Sequence, residues 1–500
     1  MYDVIIFTDI TSLHYVGRAI GAYKCAYSLR QAGYECLVVD HLSGFTPAEL
    51  DTMLTKVITD RTLFVGVSTT FMMSIDTPSQ YKRLSNSVVP QGRETEDSMV
   101  ELIRQLNPRC KIVTGGNLPH AIQNGSGIDY SVIGYAEASI VSLANHLRHG
   151  DKMPGSYRSL SGTIIVDDRT GSNHDFVNSP FKWGEHDVAN MKVLPIEIAR
   201  GCIFRCKFCS YPMNGKQNLD FIRPADILYE EMLTNYYTFG VTDYLLLDDT
   251  FNDNEPKLDI MLSVVKRLPF QPKFWCYARL DLIARNPATL EKLYDIGLRA
   301  MYFGIETLNR KTGLIIGKGY DRSKQIAMIS NIRHKYGNSL SLHGSFIIGL
   351  PEEAVESVEK TYNDIMNETI PLHTVVFNGL GIARAERNPF PSDLEKNYLK
   401  YGYAEDMTAQ SPTFINWKSK HMTYDIAKQM AADYMSVVAQ NPRFYISGHL
   451  GFGLKNLGYS EEYVQNTTAD TVNWDIISDE KCTFVQQYKK ILFGRLGIDI

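Results

Sequence analysis

Three cysteines crowd into eight consecutive residues of this chain. Cys202, Cys206 and Cys209 have the spacing C-x-x-x-C-x-x-C within IARGCIFRCKFCSYP, although the 500 residues contain only eight cysteines. Soft thiolates at such spacing suit zinc or an iron–sulfur cluster. Structural zinc takes four protein ligands, usually from two C-x-x-C pairs, and no second pair is present. A [4Fe–4S] cluster held by only three cysteines would keep one iron open to a small molecule.

The cysteines follow an apolar segment, LPIEIA, which predicts a β-strand. Five further strand candidates, DYLLLDDT, FWCYARL, AMYFGIET, SLHGSFIIGL and HTVVFNGL, alternate with helical segments. Six strands with crossover helices predict a partial (β/α)6 barrel over residues 191–395. In barrels the chemistry lies at the C-terminal ends of the strands, which is where the cysteines are expected.

The segment RGCIFRCKFCSYP resembles the cluster motif of radical S-adenosylmethionine (SAM) enzymes, including Phe208 directly before the third cysteine. In that family the open iron binds the amino and carboxylate groups of SAM. Reduction cleaves SAM to methionine and a 5′-deoxyadenosyl radical, which takes a hydrogen atom from the substrate. The resemblance implies a [4Fe–4S] cluster on Cys202, Cys206 and Cys209, with SAM bound beside it.

Two further strand ends carry residues that the resemblance makes candidates. YFGIET resembles the family's glycine–glutamate motif, which implies that Glu306 contacts the ribose or amino group of SAM and that Gly304 allows close approach. LLLDDTFN ends the second strand with Asp248 and Asp249. One of these carboxylates is expected to cap the following turn or helix and the other to face the site, with Asp249 the candidate for the site.

Three weaker candidates complete the barrel site. Arg279, near the end of the third strand, is expected either to meet the SAM carboxylate or to pair with a neighbouring carboxylate. Ser345 in HGSFIIGLPEE is a candidate for a ribose contact, because the segment resembles the family's fifth strand. Lys318 lies between two glycines in a loop that could approach an anion, but the spacing is not that of a P-loop. No residue is assigned a catalytic role.

Residues 1–150 alternate strands and helices, which predicts a doubly wound parallel sheet of the Rossmann type with ligands at its carboxyl edge. An α/β domain before the barrel resembles the cobalamin-binding branch of the radical SAM superfamily. Against the cobalamin pattern D-x-H-x-x-G, S-x-L and G-G, the chain has His14, Gly17, Ser68, Gly115 and Gly116. A serine replaces the first aspartate of this pattern, and a threonine replaces the leucine. The alternative is therefore that the sheet has lost its cofactor and serves as a substrate or docking domain.

The remaining segments, the net charge and the other cysteines limit the classes of protein to which this chain could belong. Residues 151–190, rich in Pro, Gly, Ser and Asn, predict a linker with one hairpin, and 396–500 a mainly helical region. A net charge of −5 without a basic run gives no support to broad nucleic-acid binding. No apolar run approaches the ~20 residues of a membrane span, so no membrane partner is expected. The scattered other cysteines indicate the reducing cytoplasm.

The sequence therefore predicts a cytoplasmic radical SAM enzyme acting on an unidentified small molecule or peptide. With cobalamin the expected reaction is methylation of an unreactive carbon; without it, a rearrangement, dehydrogenation or cyclisation. The family resemblance implies an external one-electron reductant of the flavodoxin or ferredoxin kind. A non-catalytic iron–sulfur electron-transfer or sensor protein and a zinc-stapled interaction module are the alternatives from other classes.

Overall fold

The computed structural model divides into two compact units. The N-terminal unit comprises Met1–Asp175, Ser179–Met191 and Trp474–Ile500, and the barrel unit comprises Phe176–Asn178 and Lys192–Asn473. The structure describes residues 1–10, 15–68, 99–116, 128–153, 155–159, 162–169, 174–188, 190–211, 215–216, 218–388, 390–407, 411, 414–446 and 449–499.

The N-terminal unit is built on a seven-stranded sheet with the order β2-β1-β3-β4-β5-β7-β6. All neighbours are parallel except β6 and β7, which form an antiparallel hairpin. The strands are β1 Val4–Phe7, β2 Cys36–Val39, β3 Phe64–Ser68, β4 Lys111–Gly115, β5 Tyr130–Gly134, β6 Ser156–Arg158 and β7 Ile164–Asp168. The first two are buried along their whole length, as expected for a parallel sheet covered on both faces. The predicted doubly wound sheet is confirmed.

Helices on this unit bury the apolar sheet. They are α1 Ile20–Gln31, α2 Pro47–Val57, α3 Met99–Leu106, α4 Ala136–His149 and the C-terminal helix Trp474–Leu496. Thr46 begins α2 with a capping box completed by Glu49. Tyr488 and Phe493 of the C-terminal helix join the core formed by β1, β2 and α2. The ammonium of Lys489 lies 2.8 Å from both carboxylate oxygens of Glu49, which fixes the helix on this unit.

The barrel unit contains six parallel strands in the order β13-β12-β11-β10-β9-β8. They are β8 Val193–Ile196, β9 Asp243–Leu246, β10 Lys273–Ala278, β11 Leu298–Glu306, β12 Ser341–Ile348 and β13 Thr374–Gly379. Their order follows the chain because each strand returns through helical crossovers, so all six carboxyl ends lie at one edge. The predicted partial (β/α)6 barrel is confirmed.

Helices alternate with and then follow these strands. They are α5 Ala225–Phe239, α6 Glu255–Arg267, α7 Leu280–Arg285, α8 Thr289–Ile296, α9 Arg310–Ile316, α10 Arg322–Tyr336, α11 Val355–Met366, α12 Asp393–Lys396, α13 Tyr424–Val438, α14 His449–Lys455 and α15 Glu461–Asn466. A two-stranded antiparallel ribbon pairs β14 Ala404–Glu405 with β15 Trp417–Lys418. The mainly helical character predicted after residue 395 is confirmed.

The domain boundaries drawn from the sequence stay predictions. The hairpin expected within residues 151–190 is formed by β6 and β7, and β7 extends the N-terminal sheet by pairing with β5. Residues 474–500 pack with the N-terminal unit although they end the chain. Among the described helices, none is both long and apolar enough to cross a bilayer.

Candidate active site at the carboxyl edge of the barrel

The cysteine loop leaves β8 at the carboxyl edge of the barrel. Cys202 is buried, whereas Cys206 and Cys209 are partly exposed. The sulfur of Cys202 lies 3.5 Å from both the hydroxyl of Thr250 and the backbone nitrogen of Phe204. Burial raises the pKa of the Cys202 thiol, and these two hydrogen bonds, which lower it, offset only part of that rise. A cationic metal would favour the thiolate at this position, because a coordinating thiol loses its proton.

A buried lysine and two aspartates hold the start of this loop. Oδ1 of Asp248 accepts from the backbone nitrogens of Ile198 and Ala199 at 2.9 and 3.2 Å. The ammonium of Lys257 lies 3.2 Å from Asp248 and 2.7 Å from Asp253, and all three side chains are 0% exposed. The network joins α6, the end of β9 and the approach to the cysteines. Asp248 therefore has a structural role.

Asp249 is the neighbouring carboxylate that was predicted to face the site. Burial, followed by the charge of Asp248, raises its pKa to about 7. Its partners include the backbone nitrogen of Gly201, which precedes the first cysteine. Asp249 therefore lies against the cysteine loop, and its role toward a cofactor stays a prediction.

Glu306 ends β11 in an unusual backbone conformation. Its φ is +64°, in the left-handed region, and the nitrogen of Thr307 donates to the carbonyl of Ile305 across it at 2.8 Å. This is a γ-turn, which follows a register shift between Gly304 and Glu306. A non-glycine residue in this region costs about 1–3 kcal/mol and persists only when its surroundings enforce it. Such strain is a reason to regard Glu306 as a functional residue.

Lys318 holds Glu306 next to the cysteine loop. Its ammonium donates to Oε1 of Glu306 at 2.9 Å and to the carbonyl of Gly304 at 2.6 Å. It also lies 5.6 Å from the centroid of the Phe208 ring. A Cβ on Gly304 would lie 2.5 Å from that carboxylate oxygen and 2.7 Å from the ammonium, so a larger residue would displace the Lys318–Glu306 pair. The structure thus brings Gly304, Glu306 and Phe208 together.

Arg279 reaches the cysteine loop from the end of β10. Its guanidinium donates to both oxygens of Asp281 at 2.9 and 3.0 Å, which is the ion pair that the sequence left open. The guanidinium carbon lies 3.9 Å from the ring centroid of Phe204, and Nη1 lies 3.7 Å from the sulfur of Cys206. Arg279 therefore places a positive charge beside a predicted cluster ligand. Its contact with the SAM carboxylate stays a prediction.

Ser345 lies one strand further along the same edge. It is buried, pairs with Gly304 in the β11–β12 register and hydrogen-bonds the hydroxyl of Tyr302. Tyr302 in turn packs edge-to-face on Tyr277 at 5.1 Å between ring centroids. Ser345 is therefore close to the Glu306 turn, while a ribose contact stays a prediction.

The arrangement of the thiols fits a cluster better than zinc. Zinc bound at ~2.3 Å to each sulfur requires sulfurs within about 4 Å of one another. The three cysteine sulfurs do not form such a group within the described residues, where the one set of three ligand atoms all within 4.8 Å is Asp9, Asp40 and His41. Cys276, the other cysteine of this unit, is buried within β10. The donor set therefore fits an iron–sulfur cluster with three protein ligands.

Glu353 is a buried carboxylic acid that the sequence did not single out. It accepts from the hydroxyl of Thr307, which directly follows Glu306, and its Oε2 finds no partner among the described residues. Burial raises its pKa to about 7. The only sequence signal was a pair of glutamates after the Gly-Leu-Pro turn, and it does not distinguish a buried residue from an exposed one.

Glu353→Gln is expected to change how stability depends on pH. Between pH 4.5 and 7 the folded chain holds a proton on Glu353 that the unfolded chain releases, so wild-type stability falls as pH rises through this window. Glutamine does not titrate. Urea denaturation should show the variant gaining about 3 kcal/mol relative to wild type from pH 4 to pH 8. The control is Glu352→Gln, which changes an exposed neighbour paired with Lys311 and should show no such gain. If the free energy of unfolding of Glu353→Gln changed with pH in parallel with that of wild type, the prediction would be contradicted.

The carboxyl edge of the N-terminal sheet holds the second group of candidates. The order β2-β1-β3 makes the crevice between β1 and β3 the point at which doubly wound sheets bind ligands. Ser68 ends β3 beside Gly115 of β4, and Gly116 follows with φ +121°. Thr8 follows β1, and its buried hydroxyl has no hydrogen-bond partner within the described ranges. An unsatisfied buried hydroxyl at a ligand crevice fits a bound polar group.

Two members of the predicted cobalamin motif are less informative. Gly17 is buried, and a Cβ there would lie 2.4 Å from the ring of Tyr15, so a larger residue would displace that ring. His14 lies outside the described residues. The structure thus gives Gly17 a packing explanation, and the roles of both residues toward cobalamin stay predictions.

A buried charged group, which the sequence did not indicate, lies at the ends of β1 and β2. Asp9, Asp40 and His41 approach one another there. Nη1 of Arg18 lies 3.3 Å from Asp40 and 2.7 Å from Nε2 of His41, so a guanidinium already supplies the positive charge. Burial, with the charges of Arg18 and Lys481, lowers the pKa of His41 to about 4. This group is an internal ion-pair network.

Comparison with known proteins agrees with this geometry. The model of the radical SAM superfamily matches residues 196–365. An uncharacterized methyltransferase of Pyrococcus horikoshii is 32% identical over 168 residues, which are 33% of this chain and 35% of that protein. Bacteriochlorophyllide d C-12(1)-methyltransferase of Chlorobaculum tepidum is 24% identical over 52% of this chain and 55% of its own. The chain thus spans between about a third and a half of these curated relatives.

Two solved structures match almost the entire chain. The radical SAM methyltransferase TsrM from Kitasatospora setae, solved with tryptophan substrate and a SAM analogue, has a TM-score of 0.65 at 14% identity and covers 98% of this chain and 100% of its own. The cobalamin-dependent radical SAM enzyme OxsB, solved with aqua-cobalamin and SAM, has a TM-score of 0.60 at 12% identity. The match covers 98% of this chain and 71% of OxsB. The predicted recognition is confirmed. The chain contains a radical SAM domain over residues 196–365, within a fold that it shares with cobalamin-dependent radical SAM enzymes.

Proposed function

We propose that this chain is a cobalamin-dependent radical SAM methyltransferase. Cys202, Cys206 and Cys209 hold a [4Fe–4S] cluster, and SAM binds at the open iron next to Glu306. The observation that carries the proposal is the Lys318 bridge, because one ammonium contacts both the strained Glu306 turn and the aromatic ring of the cysteine loop. When reduced, the cluster supplies the electron that cleaves SAM.

The residues of the barrel edge position and shield these groups. The first cysteine is held by contacts with residues that follow β9 and with α6. Thr250 hydrogen-bonds the sulfur of Cys202, and Asp248, paired with Lys257 of α6, accepts from the backbone just before the cysteine loop. Arg279 places a cation beside Cys206, where it offsets part of the negative charge of thiolate ligands. Tyr302 packs edge-to-face on the partly exposed Tyr277, and the two rings cover part of this edge of the barrel.

Cobalamin on the N-terminal sheet is supported by a separate set of residues. Gly115 and Gly116 allow a ligand to approach the backbone, and the Thr8 hydroxyl, which has no hydrogen-bond partner among the described residues, follows β1 at the β1–β3 crevice. Bound cobalamin would carry the methyl group. Methylation of an unreactive carbon is therefore the proposed reaction, in line with the methyltransferase names of the relatives. The substrate is a small molecule or peptide.

The test is anaerobic reconstitution of the full chain with iron, sulfide and hydroxocobalamin, followed by removal of unbound cofactors. We expect about four irons per chain, as in a [4Fe–4S] cluster, and a retained corrinoid absorbance. Addition of SAM and a reductant should release 5′-deoxyadenosine or S-adenosylhomocysteine. Zinc in place of iron, or no SAM turnover, would overturn the proposal. A colourless protein that still turns over SAM would remove cobalamin and leave a rearrangement, dehydrogenation or cyclisation.

A further inference from the structure

The cysteine loop is flanked by two surface helices. The backbone nitrogen of Lys207, between the second and third cysteines, donates to the carbonyl of Ile316 at 3.0 Å. The carbonyl of Lys207 accepts from the nitrogen of Leu394 at 2.8 Å. Helices α9 and α12 therefore border the loop on either side. A partner that contacted both helices would therefore lie next to the segment between the second and third cysteines.

This border is rich in positive charge. Its cations, which we call the cationic face, are Arg205, Lys207, Arg310, Lys311, Lys396 and Lys400. Lys207 pairs with Asp393 at 3.1 Å and Lys311 with Glu352 at 3.1 Å. The other four are exposed, and none has a carboxylate partner in the part of the chain that the structure describes. Segments 205–207, 310–316 and 393–400 contain these six cations and two carboxylates, Asp393 and Glu395, although the whole chain carries a net charge of −5.

Two exposed leucines lie within the same border. Leu314 of α9 is 61% exposed, and Leu399, just after α12, is 69% exposed. Exposed apolar residues among charges that are mostly of one sign are typical of surfaces that bind a partner of the opposite sign briefly. Encounters between electron-transfer proteins bury little area and depend on such charge complementarity. The face therefore has the composition of a transient docking site.

We infer that the cationic face docks an acidic electron-transfer protein that reduces the cluster. This inference rests on the proposed function, which requires one electron for each SAM cleavage. A donor with a reduced flavin loses one electron, the cluster gains it, and no bond forms or breaks in that step. The position of the cationic face indicates that its partner is an electron donor, because the face borders the loop that carries all three proposed cluster ligands.

The test compares two triple charge reversals in the reconstituted full chain. Lys311→Glu/Lys396→Glu/Lys400→Glu changes the face, and Lys56→Glu/Lys152→Glu/Lys490→Glu changes three exposed lysines of the N-terminal unit by the same total charge. Reduced flavodoxin is the protein donor and dithionite the small-molecule donor. Bleaching of the cluster absorbance measures the rate. Reduction by flavodoxin should slow at least ~10-fold in the first variant and less than twofold in the second.

Dithionite and salt provide the internal controls. Dithionite should reduce both variants and wild type at similar rates, because it needs no docking surface. Raising the salt from 50 to 300 mM should slow flavodoxin with wild type far more than with the face variant. Equal flavodoxin rates for the two variants, or no reduction of wild type by flavodoxin while dithionite succeeds, would overturn the inference alone. Absence of a cluster would instead overturn the proposed function and this inference with it.

Discussion

Lys257→Met is expected to destabilise the barrel unit by about 3–5 kcal/mol. The substitution keeps an unbranched side chain but removes the cation between Asp248 and Asp253, and the three side chains are 0% exposed. Two buried carboxylates would then face each other without a counter-charge, which is the costly way to break a buried ion pair. Urea denaturation measures the loss, and iron retention should fall with it because Asp248 holds the start of the cysteine loop.

A second lysine that pairs with two carboxylates at the surface provides a matched control for the effect of burial. Lys292 also contacts two carboxylates, Glu255 at 2.9 Å and Asp259 at 2.8 Å, but at the surface. Lys292→Met should therefore leave the denaturation midpoint within experimental error. Adding Asp253→Asn to Lys257→Met should restore part of the stability, since one uncompensated charge is removed. Equal losses for Lys257→Met and Lys292→Met would show that the buried network is not what holds the barrel.

The strands of both sheets were predictable because parallel, covered strands have continuous apolar sequences. VIIF, CLVV and FVGVS are short runs separated by helical segments, and this pattern is typical of a doubly wound sheet. The position of the cysteines at a strand end followed from the same alternation. What local pattern cannot give is the partner of a distant segment, as the C-terminal helix shows by packing with the N-terminal unit.

The contacts of the site were less predictable than its location. Arg279 and Asp281 are two residues apart, so their ion pair was among the alternatives drawn from the sequence. Lys318 was singled out only as a weak anion contact, whereas its partner is Glu306, twelve residues earlier in the chain. Glu353 and the Arg18 network depend on burial, which residue identity does not reveal. Ionisable residues are ordinarily exposed, so buried ones appear only in the folded structure.

Cys206→Ala is expected to abolish cluster retention and SAM cleavage. Two remaining thiols cannot hold a [4Fe–4S] cluster that already relies on three, so the iron content should fall to that of a protein treated without iron. The apo variant should melt close to the apo wild type, because the partly exposed Cys206 makes one weak side-chain hydrogen bond among the described residues, with Arg279 at 3.7 Å. Iron analysis and release of 5′-deoxyadenosine and S-adenosylhomocysteine after anaerobic reconstitution measure the effect.

Cys482→Ala supplies the control for this loss. Cys482 is the exposed cysteine of the C-terminal helix, and its removal should leave iron content and SAM turnover unchanged. The contrast matters because reconstitution with excess iron and sulfide also deposits iron on accessible thiols at random. Random deposition would lower the iron in both variants alike, whereas a specific site lowers it only for Cys206→Ala. If Cys206→Ala kept about four irons and full SAM turnover, some other group would be the ligand, and the radical SAM assignment of this loop would be wrong.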